Sequence, residues 1–112
     1  MTEVTAEIDA IIGRARKAQQ AYETNGDQKL FDSAAKAAAW ALMEPSRNSE
    51  LSAFAVAETG LGNVDDKITK NYRKTLGLLR DINGKTSFGM INDDAKSGIS
   101  EFLRPKGVIA AV

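Results

Sequence analysis

The chain has 112 residues, 43% of them hydrophobic, 27% charged and 6% aromatic, which is the size and make-up of one ordinary globular domain. Fifteen basic residues balance fifteen acidic ones, so there is no positive field of the kind that wins phosphate contacts, and nucleic acid is not an expected partner. The lack of any cysteine or histidine removes thiolate nucleophiles, disulfides, almost every zinc site and the usual general base, which excludes much enzymology for this chain acting alone.

The first residues, Met1-Thr2-Glu3-Val4-Thr5, are acidic rather than basic ahead of the first apolar positions, and no compact apolar run follows, so no export signal is expected. Val4, Ile8, Ile11, Ile12, Ala15, Ala18 and Tyr22 then recur at steps of three and four, which predicts an amphipathic helix over about residues 5–23. Arg14, Arg16, Lys17 and Gln20 form its solvated side, and Asn25-Gly26 is expected to stop it through a left-handed glycine. Asp27 can cap a second helix that carries Leu30, Phe31, Ala34, Ala38, Ala41 and Leu42 and is limited by Pro45. Its alanine-rich stretch, residues 34–41, invites close approach by another element.

Residues 46–49 offer several caps for a short third helix with Leu51, Phe54, Ala55 and Ala57, ended by Gly60. Asn63 can cap a fourth, with Asp65 and Asp66 in a first turn where negative charge complements the helix dipole. Val64, Ile68, Tyr72, Leu76 and Leu79 give that helix a stripe reaching about residue 80, and Asn83-Gly84 breaks it. Three strands are predicted next, over residues 86–91, 99–103 and 107–112. The polar connection 92–98 makes an antiparallel ribbon of the first two, and Arg104-Pro105-Lys106 is a bend. Gly107-Val108-Ile109-Ala110-Ala111-Val112 is continuously apolar, the pattern of a strand buried on both faces. Such a strand with nothing after it to cover it predicts that the chain is a truncated piece of a larger domain. No apolar stretch approaches the about 20 residues of a spanning helix, so a soluble, cytoplasmic protein is expected.

Few positions suggest chemistry. Glu58-Thr59-Gly60-Leu61-Gly62-Asn63 has two glycines near a helix start, yet no strand precedes it and the spacing is not G-x-G-x-x-G, so it reads as helix punctuation. Asp65 and Asp66, with Glu58, are better explained by a helix N-terminus than by a divalent cation. Lys67, Lys70, Arg73 and Lys74 read as a solvated face rather than an anion site. The first helix could dock in a partner's groove, but packing within its own protein is the simpler reading.

The segment Ala57-Glu58-Thr59-Gly60-Leu61-Gly62-Asn63-Val64-Asp65-Asp66-Lys67-Ile68-Thr69-Lys70-Asn71, followed by Arg104-Pro105-Lys106-Gly107-Val108-Ile109-Ala110-Ala111-Val112, resembles the N-terminal portion of the CoA-acylating aldehyde dehydrogenases. Arg14-Ala15-Arg16-Lys17-Ala18-Gln19-Gln20-Ala21 reinforces the match, and Arg73-Lys74-Thr75-Leu76-Gly77-Leu78-Leu79-Arg80-Asp81 is similar to the sulfoacetaldehyde dehydrogenase branch. The resemblance covers about residues 14–112. It implies an α/β, aldehyde dehydrogenase-like N-terminal fragment spanning residues 1–112: four helices within 1–82, then over 86–112 a β-ribbon and the first buried strand of the cofactor domain. In the family a cysteine attacks the aldehyde, NAD or NADP takes the hydride and CoA collects the acyl group. The matching cysteine, cofactor loop and Pro/Asn-containing loop would all follow residue 112. No catalytic, cofactor-binding or metal residue is therefore expected in this chain, and no cofactor should bind it alone. Its expected partners are the rest of the dehydrogenase chain and the other subunits of a homo-oligomer, with residues 86–103 joining subunit contacts; no membrane is expected. The alternative from another class is a small, non-catalytic helical adaptor that binds a protein partner.

Overall fold

The computed structural model describes residues 2–111, with the order α1 (Glu3–Asn25), α2 (Gln28–Met43), α3 (Pro45–Thr59), α4 (Val64–Ile82), β1 (Gly89–Asp94) and β2 (Ile99–Leu103). Its contacts divide it into two units. In one are α1, the first residues of α2 through Lys29, and the chain from Thr86 onward; the other is Leu30–Lys85.

In the first unit α1 begins two residues ahead of its expected start, because Thr2 takes the N-cap and its hydroxyl oxygen accepts the Thr5 N–H at 3.2 Å. Its end corrects the glycine argument. Gly26 has φ −82° and ψ 146°, an extended rather than a left-handed conformation. The Asn25 amide donates to the Ala21 carbonyl at 2.9 Å, so a side chain meets a carbonyl of the last turn and the backbone need not reverse. No described residue of α1 is buried, and Val4, Ile8 and Ile11 of its stripe are exposed.

The ribbon forms as an antiparallel pair with Gly89 opposite Leu103 and Asp94 opposite Ile99, interrupted by an irregularity between Met90 and Asn92. β2 matches its expected bounds, whereas β1 lies three residues later than the predicted 86–91. Ser87 explains part of the shift: its N–H and its hydroxyl both donate to the Gln28 side-chain carbonyl, at 2.9 and 3.2 Å, which holds 86–88 out of the ladder. Asn92 and Asp93, poor strand formers, are kept in it by side-chain bonds across the ribbon to Glu101 at 3.0 Å and Ser100 at 2.6 Å. The third predicted strand is not formed: residues 104–111 have no regular secondary structure, and Val112 lies outside the described residues. An apolar run becomes a strand only when a ladder partner satisfies its backbone, and among the described residues none does.

The second unit shows why Pro45 does more than limit α2. Proline lacks an N–H and has its φ preset, so it opens α3 at the first turn, and the cap is Glu44 rather than any residue of 46–49. The Glu44 carboxylate accepts the Ser46 hydroxyl at 2.7 Å and the Arg47 and Ser46 N–H groups at 2.9 and 3.2 Å. With 15 residues α3 is a full helix, not a short one. Gly60 ends it as expected, left-handed at φ 66° and ψ 13°, with its N–H on the Val56 carbonyl at 2.8 Å. Asn63 caps α4 as expected: its carbonyl accepts the Asp66 N–H at 2.9 Å while its amide donates to the Asp66 carboxylate at 2.6 Å.

Nothing lies within 4 Å of where a Cβ at Gly60 would stand, so Gly60→Ala should cost only the backbone strain of a left-handed alanine, about 1 kcal/mol. Denaturant titration checks this, and Gly60→Asn, which tolerates that conformation better, should lose less.

Candidate functional site

The best-organised cluster of side chains joins α3 to α4. Asn48 and Ser52 sit four apart on α3 and are 2% and 0% exposed, while Ile68 and Asn71 sit three apart on α4. The Asn48 amide donates to the Ile68 carbonyl at 3.0 Å, and its oxygen accepts the Ser52 hydroxyl at 3.2 Å and the Asn71 amide at 3.1 Å. Asn71 also donates to the Ser52 hydroxyl oxygen at 3.2 Å. No buried side-chain polar atom among the described residues is left without a partner. Each group is neutral and already bonded, so the cluster is a polar lock that fixes the register of two helices. It holds no charge, and its one hydroxyl, that of Ser52, is fully buried and engaged by both asparagines.

The lock was not anticipated from the sequence, where residues 46–49 read as caps and the apolar residues as the inner faces. The structure reverses that reading for α3. Leu51 and Phe54 point outward and are exposed, while Asn48, Ser52, Ala55 and Val56 are the buried or half-buried positions. On α4, Val64, Ile68 and Leu79 of the predicted stripe are half-buried, but Tyr72 and Leu76 are exposed and Asn71 and Thr75 take the inner places. The available signal was the i, i+4 pair of small polar residues on one helix and an asparagine beside an apolar position on the next. Among the described residues Met43, 8% exposed, is the one buried hydrophobic side chain. The contact between α3 and α4 thus has small polar groups at its centre, with half-buried apolar residues around them and large apolar side chains left exposed.

The other candidates are placed as follows. Gly60 and Gly62 both have positive φ and lie between two helices with no strand ahead of them, and Leu61 donates its N–H to the Thr59 hydroxyl at 3.2 Å, so the loop is helix punctuation. Asp66 is engaged by Asn63, and no group of three or more potential metal-ligating side chains occurs among the described residues. Lys70, Arg73 and Lys74 are exposed and Lys67 is half-buried. A groove of about 270 Å³ is lined by Asp32, Ala35 and Lys36 of α2 and by Leu76, Leu79 and Arg80 of α4, mostly apolar in character. Neither α3 nor α4 packs closely against α2, so the close approach expected at residues 34–41 is not found within this unit, and Ala35 only borders the groove.

Two carboxylates have shifted acidity. The Ser46 hydroxyl first, then the Arg47 and Ser46 N–H groups, hold Glu44 below the ordinary glutamate value. The Ser97 hydroxyl first, then the Lys96 N–H, do the same for Asp94 at the ribbon's turn. A carboxylate that is more acidic folded than unfolded contributes stability above its unfolded pKa and loses it as pH falls through the folded one. The first turn of α3 should therefore fray as pH drops below the ordinary glutamate value of about 4.3. Glu44→Gln should remove that acid dependence at α3 and leave the one at the ribbon, which amide resonances followed against pH would separate.

Comparison with known proteins supplies what the side chains do not. Over 105 residues, 94% of its length, the chain is 56% identical to the acylating sulfoacetaldehyde dehydrogenase of Cupriavidus necator. It is 41% identical over 98 residues to the acylating sulfoacetaldehyde dehydrogenase of Bilophila wadsworthia, and 31% identical over 110 residues to the bifunctional aldehyde-alcohol dehydrogenase of Escherichia coli. The chain spans only 21% of each of the first two proteins and 12% of the third. No family model matches, and no solved structure does.

Proposed function

We propose that this chain, whose sequence is that of a segment of the acylating aldehyde dehydrogenases and matches their sulfoacetaldehyde branch, is the N-terminal scaffold portion of such an enzyme. The observation that carries the proposal is the 56% identity to the Cupriavidus necator protein over 94% of this chain. The complete enzyme would convert an aldehyde, CoA and oxidised NAD or NADP to acyl-CoA and the reduced cofactor, with sulfoacetaldehyde as the aldehyde. A cysteine thiolate from the rest of the enzyme would be the nucleophile toward the carbonyl, with the nicotinamide supplying the hydride acceptor and CoA the acyl acceptor. With no cysteine of its own, this chain does not supply that thiolate. Its part is to build surface against which the remainder of the enzyme packs.

The apolar side chains left outside α1, α3 and α4 suit that role, since Ile8, Ile11, Phe54, Leu76 and Leu78 are exposed. Residues 107–112 then lead into an α/β cofactor domain of aldehyde dehydrogenase type as its first buried strand. Homo-oligomeric assembly in the cytoplasm completes the proposal.

Two assays test it. Purified on its own, the chain should give no reduction of NAD or NADP above a heat-treated control with sulfoacetaldehyde and CoA; turnover that survived rigorous purification would overturn the scaffold role. Exchanged for the matching fifth of the Cupriavidus necator enzyme, the chain should yield a soluble hybrid that retains sulfoacetaldehyde-dependent acyl-CoA formation. A folded hybrid without it would overturn the assignment to that branch.

A further inference from the structure

We draw no further inference here: the strongest candidate, the exposed apolar seam of α1 formed by Val4, Ile8 and Ile11, is an unpartnered helix face, and nothing in the structure shows what covers it.

Discussion

Asn48→Ala should loosen α3 from α4 at a cost of about 2–4 kcal/mol, the range for removing a buried amide that three partners share. The substitution deletes the donor to the Ile68 carbonyl and the acceptor for both Ser52 and Asn71, and it does so where water has almost no access. The penalty comes mainly from the buried Ser52 O–H and the Ile68 carbonyl, which lose their Asn48 partner, while Asn71 keeps its bond to the Ser52 oxygen. Ser52→Ala should cost less, about 1–2 kcal/mol, because Asn71 and Asn48 still hold each other. Replacing all three by apolar residues of similar shape should cost less than Asn48→Ala alone, since no polar group would remain unpaired. Amide hydrogen exchange along α3 and α4 reads this directly: 2 kcal/mol is about a thirtyfold rise in opening. Unchanged protection in Asn48→Ala would show that the half-buried apolar positions Ala55, Val56, Val64 and Ile68, not the lock, hold the pair.

What the sequence showed and what it hid divide by the range of the forces involved. Helix caps and stops are local, so Asn63 with Asp66 and the left-handed Gly60 were legible from neighbouring residues alone. Where two local devices compete, the choice is not legible: Asn25 capped α1 with its side chain and made the conformational freedom of Gly26 unnecessary. Glu44 likewise displaced 46–49 because Pro45 could fill the first helical position. The direction in which α3 faces is a tertiary matter. Periodicity places Leu51 and Phe54 on one side, but it cannot say that the opposite side, with Asn48 and Ser52, meets α4 first. The Asn48, Ser52 and Asn71 cluster was not legible for the same reason, since its partners lie about twenty residues apart and only packing brings them together.

Ile109→Lys should act in opposite directions in the isolated chain and in the complete dehydrogenase proposed for it, and the contrast tests whether residues 107–112 belong to a buried strand. In the chain as it stands Ile109 is 76% exposed, Val108 beside it is also exposed, and the segment has no ladder partner among the described residues. An apolar run with free backbone groups is a site for pairing with another molecule, so the isolated chain should self-associate, and a lysine there should raise its solubility and lower its sedimentation coefficient. In the full dehydrogenase the same run, continuously apolar, is proposed to sit inside the cofactor-domain sheet with both faces covered. Lysine there would place an unpaired ammonium in the core at a cost of several kcal/mol, enough to abolish soluble, active enzyme. Ile109→Val supplies the control, since it keeps strand propensity and apolar character and should be tolerated in both settings. A soluble and fully active Ile109→Lys dehydrogenase would place the segment on the surface and remove the strand from the proposal. A wild-type chain that stays monomeric and is unfolded by the lysine would show that the segment is already buried without the rest of the enzyme.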